Sequence, residues 1–299
     1  MSKPGDGREV LLLTGASTGL GLAVARALLD SPYRLILTAR SSSLERFAAE
    51  GLRESERIHL RPLDVSLPDE RRRVVEEACD RWGGVDVLIN NAGVAYRAVT
   101  EHLPDDPHFD QMVVNFYAPM ELIRLVLPRM RERRRGRILN VSSVGGMMAM
   151  PTMAPYSASK FALEGATEAL WYEVRPWRIR VSLIEPGFIH SDSFRNTRYT
   201  SKSRLAMTDE TNPYHAHYHY MDGMIAKLME LTRATPEAVA RTILRTLAKK
   251  DPPLRIPATW DAHLFSLLRR LLPRHLYHRV LYASLPHISQ WGPETKNKS

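Results

Sequence analysis

Val10-Leu11-Leu12-Leu13, followed at once by Thr14-Gly15-Ala16-Ser17-Thr18-Gly19-Leu20-Gly21, is the stretch on which the fold turns. A short continuous apolar run reads as a strand buried on both faces. The glycines at 15, 19 and 21 let the backbone turn tightly and approach a ligand closely. Leu20–Leu29 then reads as a helix, whose free N-terminal amides and dipole suit a pyrophosphate. The spacing differs from Gly-x-Gly-x-x-Gly. A plain strand-to-helix turn built from small residues therefore stays open at this point.

The same rhythm continues outward. Apolar runs at Leu35–Thr38, Ile58–Leu63, Val85–Asn90, Arg137–Ser142 and Arg180–Glu185 alternate with helix-like segments at Leu44–Glu50, Pro68–Trp82, Phe109–Arg135 and Ser157–Trp177. This alternation predicts an α/β fold, a doubly wound parallel sheet of Rossmann type in a single domain. Residues 187–235 break the pattern with polar, aromatic and His-rich sequence and are expected to cover a substrate. A helix at Pro236–Lys249 and a run at Leu254–Ile256 restore the sheet. We divide the chain into a catalytic domain, 1–257, and an amphipathic helical tail, 258–299.

Composition agrees with a folded globular protein. Of 299 residues 44% are hydrophobic and 25% charged, enough for a full core. Lys and Arg number 42 against 33 Asp and Glu, a net charge of +9 that requires acidic partners to be considered. Cys79 is alone, so no intrachain disulfide forms and a reducing compartment is favoured. No apolar stretch reaches the length of a membrane span. These features predict a cytoplasmic protein. The run Arg129-Met130-Arg131-Glu132-Arg133-Arg134-Arg135-Gly136-Arg137 lacks interleaved aromatics. It reads as a solvated helix end favoured by the dipole, and no nucleic-acid partner is expected. His215, His217 and His219 alternate without a nearby Cys or carboxylate, a poor pattern for zinc, so no metal site is assigned.

The second apolar run ends in Thr38-Ala39-Arg40-Ser41. An acid about 20 residues past the glycine loop would grip a ribose hydroxyl; here an Arg stands instead, able to bind a 2′-phosphate. This spacing favours NADP(H) over NAD, with Arg40 and Ser41 as contacts.

With these motifs in hand the chain resembles the short-chain dehydrogenase/reductase family over about residues 8–250. Thr14–Gly21 is similar to the family's cofactor loop, and Asp64-Val65 to its adenine-contacting pair. Asn90-Asn91-Ala92-Gly93 resembles the motif beside the cofactor, and Pro186-Gly187 the turn that meets the nicotinamide. The resemblance implies cofactor contacts at Gly15, Ser17, Thr18, Gly19, Leu20, Gly21, Asp64, Val65, Asn91, Ala92, Gly93, Pro186, Gly187, Ile189 and Ser191. Ser191 replaces a commoner Thr. It also implies a catalytic set of Asn115, Ser143, Tyr156 and Lys160, with Tyr156 and Lys160 touching the cofactor as well. Glu185-Pro186-Gly187 and Lys160–Gly165 look most like the hydroxysteroid and retinol dehydrogenase branch.

The residue types suit carbonyl chemistry. A Tyr hydroxyl can supply the proton, but its ordinary pKa is about 10, and reaching 7 needs roughly 4 kcal/mol of phenolate stabilisation. Lys160, four residues on, shares a helix face with Tyr156 and brings a positive charge within reach. Ser143 suits a developing oxyanion. The resemblance gives Asn115 a water-organising role in a proton relay through Lys160. Taken singly, these are a surface Tyr on a Lys stem, a helix cap and a satisfied core Asn; in order on one βαβ chain they read as a site.

The expected function is NADP(H)-dependent interconversion of an alcohol and a ketone or aldehyde on a lipophilic substrate. The alternatives are a ketoacyl-thioester reductase and a non-catalytic NADP-sensing regulator. A Met-rich loop, Met147, Met148, Met150 and Met153, suits either core filling or an adaptable substrate wall. A homo-oligomer, dimer or tetramer, is expected. In the tail, Leu264, Leu267, Leu268, Leu271 and Leu272 fall on one predicted face, Arg269, Arg270, Arg274 and Arg279 add charge, and Pro273 should kink or divide the helix. That face either packs on the domain, sealing the substrate entrance, or gives peripheral membrane contact.

Overall fold

The computed structural model describes residues 7–104, 110–190 and 197–292. Its elements run β1 (Val10–Leu13), α1 (Gly19–Ala27), β2 (Arg34–Ala39), α2 (Glu45–Ala49), β3 (Ile58–Pro62), α3 (Pro68–Trp82), β4 (Val87–Asn90), β5 (Tyr96–Arg97), α4 (Ala118–Glu132), β6 (Gly136–Val141), α5 (Ala154–Val174) and β7 (Ile179–Glu185). They continue through β8 (Arg198–Tyr199), α6 (Ser201–Thr208), α7 (His215–Leu231), α8 (Pro236–Ala248), β9 (Arg255–Pro257), α9 (Trp260–Leu271) and α10 (Arg274–Ala283). Seven strands form one parallel sheet in the order β3-β2-β1-β4-β6-β7-β9. The expected doubly wound α/β fold is present, with helices on both faces.

The continuous apolar runs are explained by this layering. Along β1, Val10 and Leu12 face a core with α3, α4 and α5. Leu11 and Leu13 face a second core with α1 and α8. Each face must therefore be apolar, and each fully buried Leu contributes about 1.5–3 kcal/mol. Local signals set the helix ends. Pro68 opens α3, Asp69 and Glu70 occupy its first turn, and Arg81 its last, each favourable to the dipole.

Three expectations need correction. The long helix predicted over Phe109–Arg135 is not uniform: Val113–Tyr117 is a π-helical turn leading into α4. The basic run after α4 is not merely solvated. Arg133 and Arg135 reach Asp86 Oδ1 at 3.0 and 3.3 Å, and Asp86 Oδ2 accepts from Val10 N at 2.9 Å, so part of the run anchors β1. The tail does divide at Pro273, but its leucines do not share one face. Leu268 and Leu272 pack with Phe265 and Tyr277 on Met147 and Met148, whereas Leu267 and Leu271 are exposed.

Candidate active site

Order reverses in the sheet between β1 and β4, the place where doubly wound folds open a crevice at the strand C-termini. The strand-borne site residues all fall along that edge: the glycine loop after β1, Arg40 after β2, Asp64 after β3, Asn91–Gly93 after β4, Ser143 after β6 and Pro186-Gly187 after β7.

The glycine loop is shaped by its neighbours. Thr14 Oγ1 accepts from Asn91 N and Ala92 N, both at 3.0 Å. Asn91 Nδ2 donates to Thr14 O and Gly15 O at 3.0 and 3.1 Å. A Cβ on Gly21 would stand 2.0 Å from Gly15 O, so only glycine fits where the loop closes on α1. Gly15 has φ +66° and lies against Ala92. Ser17 is buried, while Thr18 and Leu20 sit at the start of α1. Arg40 and Ser41 are exposed at the head of a 3₁₀ turn. Asp64 Oδ1 accepts from Ser66 N and Oγ at 2.9 and 2.6 Å, fixing the turn that follows β3; Val65 is buried beside it.

The four catalytic candidates converge from separate elements. Asn115 is fully buried in the π-helical turn. Its Oδ1 accepts from Val94 N at 2.9 Å, and its Nδ2 donates to Val94 O at 2.9 Å and Ser159 Oγ at 3.0 Å. Its side chain is thus occupied in holding the strand-to-helix loop against α5. Ser159 Oγ in turn donates to Tyr156 O at 2.8 Å. Ser143 Oγ accepts from Gly145 N at 3.1 Å and hydrogen-bonds Tyr156. Lys160 Nζ donates to Val141 O at 2.8 Å and lies 5.9 Å from the Tyr156 ring centre. A Cβ on Gly93 would meet both Asn115 Oδ1, at 3.3 Å, and Lys160 Nζ, at 3.9 Å, so the β4 loop closes the same site.

Electrostatics here follow burial. Burial pushes Lys160 down to about 8, with Glu164 opposing. Burial also pushes the Tyr156 phenol up, with the Ser143 hydroxyl opposing. The protein alone therefore favours a neutral Tyr156, and the depression toward 7 that a fully effective base would need is not supplied by Lys160 in this arrangement.

Sequence reasoning missed the supports of the Pro186 turn. Gly187 N donates to Thr259 Oγ1 and Phe188 N to Asp261 Oδ2, each at 2.8 Å. A Cβ on Gly187 would sit 1.8 Å from Asp261 Oδ2. Thr259 is legible as the cap of α9, since its Oγ1 also accepts from Ala262 N, but a partner 72 residues away leaves no local signal. Ile189 packs at the margin of the second core. Ser191 lies outside the described residues. The alternate histidines fall on α7, where His217 packs against Trp291 at 4.7 Å between ring centres.

The short chain dehydrogenase family model matches residues 9–202. A 3-ketodihydrosphingosine reductase from Bacteroides thetaiotaomicron is 33% identical over 247 residues, 83% of this chain and 86% of that one. The crystal structure of a short-chain dehydrogenase from Streptomyces avermitilis superposes with TM-score 0.73 at 31% identity, covering 93% of this chain and 99% of the other. A metagenomic short-chain oxidoreductase in complex with NADP gives TM-score 0.54 at 33% identity over 60% of this chain and 81% of its own.

Proposed function

The chain belongs to the short-chain dehydrogenase family, and from that premise we propose that it is an NADP(H)-dependent oxidoreductase interconverting an alcohol and a ketone or aldehyde on a lipophilic substrate. The convergence of Ser143, Tyr156 and Lys160 at the C-terminal edge of the sheet carries this reading. The glycine loop fits a dinucleotide: glycine at 15 and 21 lets it close tightly against Ala92 and on itself, and α1 begins there with its N-terminal amides. Gly15, Ser17 to Gly21, Asp64, Val65, Asn91 to Gly93, Pro186, Gly187, Ile189 and Ser191 would hold it. Arg40 and Ser41 favour a 2′-phosphate, as does the relative solved with NADP.

When bound, the cofactor supplies or accepts hydride. Tyr156 holds the proton that a substrate oxygen gains or gives up, and its burial keeps that proton in place until the charge around it changes. Ser143 orients the oxygen. Lys160, buried and charged below about 8, holds its ammonium 5.9 Å from the Tyr156 ring centre, where the cofactor's ribose would meet it. Asn115 fixes the loop facing them.

A lipophilic substrate is supported by the relative named a 3-ketodihydrosphingosine reductase; Met147 and Met148 are buried under the tail helices and add nothing to that reading. The sequence likeness to the hydroxysteroid and retinol dehydrogenase branch points the same way. Homo-oligomerisation belongs to this reading, with exposed Tyr117, Tyr172 and Trp177 as surface for it. So does a cytoplasmic enzyme whose tail touches anionic membrane. Trp260, Leu267 and Leu271 are exposed beside Arg269 and Arg270, and no helix among the described residues is long and apolar enough to cross a membrane.

NADPH oxidation screened across steroid ketones, retinal, aliphatic aldehydes and acyl thioesters tests the function. Turnover of the lipophilic carbonyls supports it; turnover of acyl thioesters alone replaces it with the ketoacyl alternative, and NADPH binding with no turnover by the regulator. Co-sedimentation with anionic vesicles tests the tail. Serine at 260, 267 and 271 should abolish it while sparing Thr259 and Asp261, which truncation after Pro257 would remove.

A further inference from the structure

Lys160 is followed one turn later on α5 by a second buried charge. Glu164 is 4% exposed; its Oε1 accepts from Ser142 Oγ at 2.7 Å and its other oxygen pairs with Arg255. Arg255, on β9, also reaches Glu185 Oε1 at 2.9 Å and Glu168 Oε2 at 3.0 Å. Glu185 is 1% exposed at the end of β7, next to the Pro186 turn. A buried carboxylate is costly unless paired and hydrogen-bonded, and such a cluster beside a reactive pair exceeds what packing needs.

We propose that Glu164 is a positioning residue that keeps Lys160 protonated, and that Glu185 adjusts its effect through the shared Arg255. This rests on the carbonyl-oxidoreductase reading of the same site and extends it. The charged and titratable groups facing Lys160 and this cluster are Tyr156, Glu164 and Glu168 from α5, Glu185 from β7 and Arg255 from β9. Three carboxylates meet two cations, so one negative charge is in excess. Neutrality is approached by holding a proton on Glu185, which burial and Glu164 push up to about 7. As pH rises past that value, Glu185 ionises and the cluster becomes more negative. That supports the Lys160 ammonium just below the pH at which it is lost, about 8 with Glu164 in place. Ser142, next to Ser143, ties the cluster to the oxyanion side of the site.

The test is the Lys160 titration itself, followed through the Cε resonance of lysine-labelled full-length protein and assigned with a Lys160→Arg variant. Glu164→Gln preserves shape and should lower the midpoint by about one pH unit, the scale of one lost neighbouring charge. Glu185→Gln should shift it the same way by less. The alkaline limb of the kcat/KM profile for a carbonyl found in the screen should follow, while Glu121→Gln, in the exposed pair with Arg124, leaves both unmoved. An unshifted Lys160 midpoint in folded Glu164→Gln overturns the proposal. Should that variant not fold, an unshifted midpoint in Glu185→Gln does so. A chain that turns over no carbonyl yet shows the shift would sink the functional reading and leave this one standing.

Discussion

Removing Asp222 should loosen α7 against β5. Arg97, on β5, is 1% exposed and pairs with Asp222 of α7, whose side chain is 30% exposed. Its other acceptors are weak: Thr152 Oγ1 at 3.3 Å and Tyr199 Oη at 3.5 Å. Burial pushes the Asp222 carboxyl up despite Arg97, so the carboxylate itself is not at ease and the pair's net worth is small. The loss in Asp222→Ala comes instead from stranding a guanidinium that cannot shed its charge. Breaking a buried pair this way costs 3–5 kcal/mol. Water can reach the Asp222 side of the pair, which places the expected loss near about 3 kcal/mol, or roughly a hundredfold in the opening equilibrium. Hydrogen exchange of amides 197–231, with urea unfolding alongside, reads this directly. Asp222→Ala/Arg97→Met should recover most of the loss, because no charge is then left buried. A double variant no more stable than the single, or a single variant within about 0.5 kcal/mol of the parent, the ordinary range for surface changes, would refute the reasoning.

Three further outcomes follow from the geometry. Arg40→Ala should weaken NADPH about 10- to 100-fold in fluorescence titration, the 1.5–3 kcal/mol of a charge-assisted contact, and barely alter NADH; equal losses would remove Arg40 from the 2′-phosphate. Asp261→Ala, which frees Phe188 N–H, should raise the NADPH dissociation constant several-fold, near the 1 kcal/mol of one hydrogen bond; an unchanged constant would leave the α9 clamp with no bearing on the cofactor turn. Glu185 carries a pH signature. Its folded pKa, about 7, is raised above the ordinary 4.5, so the stability it contributes is complete below 4.5 and lost as pH rises through 7. The full swing is about 3 kcal/mol, and urea midpoints at pH 5 and 7.5, below the Lys160 titration, should converge in Glu185→Gln; a parent protein with equal midpoints would contradict it.

The strands of the seven-stranded sheet were legible because burial on both faces leaves continuous apolar runs, and β1 and α3 were bounded as the structure has them; the short β5 and β8, paired apart from that sheet, were not. The glycine loop, Asn91–Gly93, Ser143 and Pro186-Gly187 were legible for a related reason: each follows a strand, where a parallel sheet collects its loops at one edge. The π-helical turn at Asn115 was not, because it changes hydrogen bonding without changing composition. The tail leucines misled because Leu267 and Leu268 are neighbours in sequence, yet one meets solvent and the other Met147 and Met148. Periodicity assigns a stripe; it does not say how much of that stripe a small partner surface covers. The Glu164, Glu185 and Arg255 cluster was beyond local reading altogether, since Arg255 lies 91 residues from Glu164 and 70 from Glu185.

In the proposed NADP(H)-dependent interconversion, Tyr156 gives the proton that a reduced carbonyl oxygen gains. The steady-state rate of Tyr156→Phe on a carbonyl that the parent protein reduces, with NADPH affinity measured on the same preparation, isolates that proton. The ring and its packing are retained, so cofactor affinity should stay within about threefold, while turnover should fall about 10²–10⁴-fold, the range for loss of a general acid. A variant that binds NADPH normally and keeps more than about a tenth of the parent rate would contradict the account, because a group worth so little is not the acid.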